Sequence, residues 1–230
     1  EVNGDKVFIL GHSMGGMLAP RIDLAGGNTA GLVLVASSPY NLGEVALYQS
    51  EKSIEASRQI AGEEAYAQSM ENLEAEKANL AAITQDLTEV EARGMTAFGI
   101  GGYYLQDMMA HDHLAELKQL QKPTLILQGE NDTQVYMDRD FARYQQELSG
   151  ESWATLKSYP GLNHFFAPGS GDPNNAYEEY MTPGEFDPGA IEDIATFLLA
   201  HRRDRSKKGI FRKLCLEKWG SVRLRLLMRF

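Results

Sequence analysis

The chain has 230 residues, 43% of them hydrophobic, with 22 Lys and Arg against 32 Asp and Glu and a formal net charge of −10. That is enough chain for one sizeable core. A single cysteine, Cys215, excludes an intramolecular disulfide, and no uninterrupted apolar run of about 18 residues is present to form a transmembrane helix.

In chain order, residues 6–16 read Lys-Val-Phe-Ile-Leu-Gly-His-Ser-Met-Gly-Gly, a short apolar strand over 6–10 running straight into G-x-S-x-G. That spacing presents Ser13 as a nucleophile on a strained turn between strand and helix, where Gly11 and Gly15 keep the flanks free of side chains. A helix over 14–25 follows, ended by Gly26-Gly27-Asn28, then a strand over 31–37 ended by Ser37-Ser38-Pro39.

More than eighty residues separate Pro39 from Pro123, where a simple crossover needs about thirty. The excess reads as a helical lid, with helices over 44–60, 63–82 and 88–93, the last opened by a Thr88–Glu91 capping box. From Glu44 to Glu91, acidic residues outnumber Lys52, Arg58 and Lys77 by eleven to three. A solvated helix face accounts for that excess, which would also disfavour anionic substrates. Phe98, Tyr103, Tyr104 and Met108, set among glycines, are candidates for an acyl pocket, with core packing as the competing use. Asp112 is placed to cap a short helix. His111 and His113 have no third ligand at a recognisable spacing, so no metal site is expected.

A continuous apolar strand over 123–128 is followed by a loop carrying Asp132, a helix over 138–148, a strand over 153–159, a loop carrying His164, and a helix over 187–201. Asp172 to Asn175 form a turn rather than a calcium loop. A serine hydroxyl becomes a strong nucleophile when a histidine takes its proton and a carboxylate holds that histidine. Of the five histidines, only His164 sits in a loop after the last strand; His12 lies inside the serine turn, His111 and His113 precede the acid strand, and His201 closes a helix. Glu130 competes with Asp132 for the acid. Asp132 is favoured by position, because Glu130 falls one place after Gly129, too close to the strand end.

Taken together, these residues resemble the α/β-hydrolase superfamily, and more narrowly the bacterial carboxylesterases of its serine-aminopeptidase-like branch. The resemblance rests on the order Ser13, Asp132, His164, on Leu125 to Val135, on Leu162-Asn163-His164-Phe165-Phe166, on the glycine-rich stretch from Gly169 to Gly171, and on Glu179-Tyr180 before the final helix. It covers roughly residues 6–201.

The fold that this implies is α/β, a mostly parallel sheet flanked by helices. Its core would comprise residues 1–38 and 120–201, with 39–119 as the lid. Members of the family reach the serine only after their first strands, so the resemblance implies an N-terminally incomplete sequence. Met14 N–H would be one oxyanion donor, and the second, from a loop after the third strand, would be missing. The strand over 6–10, central in the family, would then present an open apolar edge.

Residues 202–230 carry eleven basic and two acidic residues, a net +9 against −19 for residues 1–201. Such a stretch, with Trp219 and Phe230, is a candidate for an anionic membrane surface or nucleic acid, but its charges do not share one helical face. Residues 222–230 alternate as a strand would. A disordered extension is expected, with neither nucleic-acid binding nor stable membrane insertion.

The activity implied is carboxylester hydrolysis on small neutral acyl esters, needing no metal or organic cofactor. An aminopeptidase or thioesterase would share the machinery, and a non-catalytic binding protein is the reading from another class.

Overall fold

The computed structural model describes residues 7–201, so the basic stretch over 202–230 and its expected disorder lie outside the described residues. Strand β1 is Phe8–His12, helix α1 Met14–Ile22 and strand β2 Gly31–Val35. After a long helical excursion the chain returns as β5, Thr124–Gly129, then α7, Ala142–Glu147, β6, Ala154–Tyr159, α8, Ala176–Met181, and α9, Pro188–His201. The sheet runs β1-β2-β5-β6 with every pairing parallel.

Alternation along the strands sends side chains to two cores. Leu32, Leu34 and Ile126 pack with Ala19, Leu114, Leu117, Phe141 and Tyr144, whereas Val33, Val35, Leu125 and Leu127 pack with Tyr159, Phe166, Ala190 and Phe197. Burial on both faces is why these strands read as unbroken apolar runs. Among the described residues β1 pairs on one side only, and its Leu10 is 54% exposed.

Several boundaries differ from the sequence expectation. β2 ends at Val35 rather than 37, because Ala36 takes a positive φ of 47° and turns the chain. α1 gives way at Asp23 to a wide π-type turn, Asp23–Gly27, and a similar turn, Met137–Phe141, precedes α7. Each widens the backbone where a regular helix was expected.

The excursion between β2 and β5 begins with α2, Leu42–Ala61, and α3, Glu63–Ala82, joined through Gly62. α2 starts two residues earlier than expected, because Asn41 and Glu44 form a capping box. α4, Glu89–Arg93, has the expected Thr88–Glu91 box. Then come an unforeseen antiparallel hairpin of β3, Thr96–Ala97, and β4, Ile100–Gly101, followed by α5, Gly102–Met109, and α6, His113–Leu120. Phe98 and Gly99, at φ 52° and 72°, make the tight turn, with Phe98 N–H donating to Glu76 Oε2 at 2.7 Å. Met17, Leu42, Val45, Ile83, Ala97, Leu105 and Met108 form a third core that seats the excursion on α1. Among the described residues no helix is long and apolar enough to cross a membrane.

Asp112 caps α6 as expected, accepting from Ala115 N–H at 2.8 Å. The next residue, His113, is buried, and neither ring nitrogen has a hydrogen-bond partner. His111 Nδ1 instead pairs with Glu116 Oε1 at 2.6 Å, and Glu116 Oε2 is left unpartnered. Burial holds His113 below its ordinary pKa of 6.5, outweighing the pull of Glu116 and Asp112. A histidine with a lowered folded pKa contributes stability that is full above the unfolded value and is lost as pH falls through the folded one. His113→Phe should therefore lose less stability than the parent chain between about pH 7 and pH 5. Urea unfolding at the two pH values checks this, and equal losses would contradict it.

Candidate active site

Three loops at the carboxyl ends of parallel strands converge here, the position where open α/β sheets bind ligands. The first follows β1. Ser13 has φ 54° and ψ −123°, a conformation that costs about 1–3 kcal/mol for a residue with a side chain. It is over-determined by Ser13 N–H donating to Val35 O at 2.8 Å and by Gly16 and Met17 N–H on Ser13 O at 2.9 and 3.3 Å. Met14 N–H, the first of α1, has no acceptor among the described residues, as expected of a helix start.

Close packing explains two of the three glycines. A Cβ on Gly11 would lie 2.2 Å from Gly15 O, and one on Gly16 would lie 2.6 Å from Ser37 Cβ. Gly15 itself has nothing within 4 Å of a Cβ position. The expectation that Gly15 must lack a side chain is thus corrected: its backbone is the surface that Gly11 approaches, while its own Cβ would point into open space.

The second loop follows β5. Asp132 is 4% exposed and uses both carboxylate oxygens. Oδ1 accepts from Gln134 and Val135 N–H at 2.8 and 3.0 Å; Oδ2 accepts from Gln128 Nε2 at 3.0 Å and His164 Nδ1 at 2.8 Å. Glu130, the rival, is exposed and accepts from Ser158 Oγ at 2.7 Å. In the third loop, after β6, His164 is 2% exposed. With Nδ1–H on Asp132, its Nε2 is the nitrogen free to take a proton. The structure thus brings Asp132 and His164 into direct contact. Ser13 and His164 are not hydrogen bonded to each other; residue 12 links their loops.

That link was not foreseen. His12 Nε2–H donates to the backbone carbonyl of His164 at 2.8 Å, and the two rings lie 4.7 Å apart. Burial, then the neighbouring His164, lowers its pKa, so it sits neutral with its proton on Nε2. Phe165 lies against both rings and meets Tyr180 edge-on at 4.9 Å; Tyr180 in turn has its hydroxyl 3.2 Å from Thr133 Oγ1, beside Asp132. The Glu179-Tyr180 pair marked this region in the sequence. Nothing in sequence spacing distinguishes His12 from any residue preceding a G-x-S-x-G serine.

Of the four candidate pocket residues, Tyr104 reaches the serine loop, its hydroxyl 2.9 Å from Met14 Sδ. Met108 is fully enclosed in the third core, so its packing use prevails. Tyr103 is half-exposed under the Arg93 guanidinium at 4.6 Å. Phe98 lines a cleft of about 500 Å³ between α2 and α3, with Ile54, Leu73 and Ile100. α2 is tied to the acid loop by Gln49 Nε2 on Gln134 O at 2.9 Å and by Arg139 stacked on Tyr40 and Tyr48 at 3.9 and 4.2 Å. Among the described residues no group of three or more His, Cys, Asp or Glu side chains is arranged to hold a metal.

The model of a family described as alpha/beta hydrolases matches residues 1–180. Esterase EstD of Thermotoga maritima is 28% identical over 195 residues, covering 84% of this chain but 43% of its own length. Among solved structures, an esterase of Pyrococcus furiosus aligns with 85% of this chain and 53% of its own at 13% identity and a TM-score of 0.41. A monoacylglycerol lipase of Paleococcus ferrophilus aligns with 84% of this chain and 68% of its own at 17% identity and a TM-score of 0.41. The chain therefore spans about half the length of the first of these relatives.

The glycine geometry makes a sharp prediction. Gly15→Ala should leave stability unchanged or raise it by up to about 1 kcal/mol, through helix propensity alone. Gly11→Ala should cost about 1–3 kcal/mol, as overpacking does. Thermal unfolding of the two variants tests the ranking, and equal losses would contradict it.

Proposed function

The chain belongs to the α/β hydrolase family, and we propose that within it this protein is a serine carboxylesterase acting through Ser13, His164 and Asp132. The observation that carries the reading is the buried His164–Asp132 hydrogen bond, set beside a serine held in a strained turn at the start of α1. Ser13 Oγ attacks the ester carbonyl as His164 Nε2 takes its proton; the same proton then passes to the departing alcohol. Asp132 holds the ring in the Nδ1–H tautomer and stabilises the imidazolium that forms. Met14 N–H, oriented by the start of α1, donates to the developing oxyanion. Water then hydrolyses the acyl-enzyme by the reverse sequence. In this reading the Ser13–His164 hydrogen bond forms as substrate binds, as catalytic hydrogen bonds commonly do.

The segment from 39 to 119 acts as a lid over this centre. Tyr104 meets Met14 at the serine loop, and the acidic surface of α2 and α3 supports neutral rather than anionic substrates. The similarity to a protein named esterase EstD supports an ester as substrate rather than an amide or thioester.

If Asp132 is the acid, Asp132→Asn should lower kcat for a p-nitrophenyl ester by about 10⁴-fold, the cost of the wrong imidazole tautomer in a protease. Glu130→Gln should change it by less than about threefold, because that carboxylate faces solvent. The reverse ranking would assign the role to Glu130. On a panel of p-nitrophenyl esters, aminoacyl anilides and acyl-thioesters, short neutral esters should turn over fastest. Faster anilides or thioesters would make the protein an aminopeptidase or a thioesterase.

A further inference from the structure

We infer that His12 is a positioning residue that sets the His164 loop against the serine loop, an inference that rests on the proposed roles of Ser13 and His164. The two loops come from strands that are not neighbours: among the described residues β1 and β6 lie at opposite edges of the four-stranded sheet. The registers through β2 and β5 set the relative height of the two strands, and the loops beyond their ends need a further tie to hold one against the other. His12 supplies it. Its backbone is fixed by β1, one residue before the serine, and its Nε2–H holds the His164 carbonyl at 2.8 Å. Its ring meets the His164 ring at 4.7 Å and Phe165 at 5.7 Å.

The consequence is directional. Asp132 fixes His164 relative to β5 through Nδ1, but that bond alone leaves the histidine free to shift with the acid loop, away from Ser13. The His12 bond ties the same residue to the serine side through its main chain. From Phe165 the contact runs on through Tyr180 to Thr133, so one chain of contacts crosses all three loops. Being neutral, His12 also adds no charge beside the imidazolium that forms on His164. A displacement of about 1 Å between nucleophile and base costs on the order of 100-fold in rate, so a single hydrogen bond at this position has leverage that its own energy does not.

Three substitutions separate positioning from simple packing. Gln places an amide N–H near the position of the histidine Nε2–H, Asn is too short to reach, and Phe keeps the ring but removes the donor. With the full chain and a p-nitrophenyl ester, His12→Phe and His12→Asn should lower kcat by about 10- to 100-fold with KM within about twofold, and His12→Gln should stay within about threefold of the parent. Circular dichroism and Tm confirm that each variant is folded; if Phe does not fold, Gln against Asn carries the comparison. The exchange of the His164 Nδ1 proton with solvent, followed by ¹H–¹⁵N NMR, reads the same contrast without turnover: faster in Phe and Asn, unchanged in Gln. An inactive parent would overturn the esterase reading, and the NMR contrast would still decide the role of His12. Gln as damaging as Phe, or Phe indistinguishable from the parent in both kcat and proton exchange, would overturn the positioning role.

Discussion

A buried carboxylate with no spare acceptor capacity governs this structure. Asp132 is taken out of water at the end of β5, and an ion in that setting is tolerated when its oxygens are fully hydrogen bonded. Two backbone amides of its own loop, the Gln128 amide and the His164 ring supply the four donors. Three of them are local and would hold the carboxylate in any fold that kept β5 and its loop. The fourth comes from a different strand, so satisfying the charge also fixes where the loop after β6 must lie. Removing His164 would leave a buried oxygen short of a donor, and a buried unpaired group is costlier than an absent one.

The parallel sheet turns that local demand into a site. Every strand that contributes a loop ends at the same carboxyl end of the sheet, and the apolar side chains alternate to two covered faces, so the loops have a stiff base. The strain at Ser13 is borne by the same base: three backbone hydrogen bonds, including one to Val35 in the neighbouring strand, hold a conformation that the residue alone would leave. Above the sheet, α2 is anchored on the acid loop by Gln49 and by the Tyr40–Arg139–Tyr48 stack, while α5 reaches the serine loop through Tyr104. The excursion thus touches the serine and acid loops, and through Asn174 Nδ2 on Ala56 O at 3.1 Å it also meets the loop after β6.

Much of this was legible in the sequence because the features that build it are local. An apolar run into G-x-S-x-G, a buried strand followed by Asp132, and a final strand followed by His164 each declare themselves within a dozen residues. So does the Thr88–Glu91 cap. What was not legible depends on partners far along the chain. The hairpin at Thr96–Gly101 owes its turn to Glu76, which accepts from Phe98, and two-residue strands carry no periodicity to find. Met108 reads as pocket or core, and Met17 and Leu42 around it decide for the core. Gly15 looks indispensable in the motif, yet it is Gly11 and Gly16 that abut other backbone and side chains. His12 gives no signal because its partner is a main-chain carbonyl 152 residues away.

The central claim is that Ser13 is an activated nucleophile served by His164 and Asp132, and covalent labelling tests it most directly. A fluorophosphonate probe incubated with the full chain, followed by digestion and mass spectrometry, should place the adduct on the peptide containing Ser13, and Ser13→Ala should remove it. An adduct on any other residue, or undiminished labelling of the Ser13→Ala protein, would contradict the account.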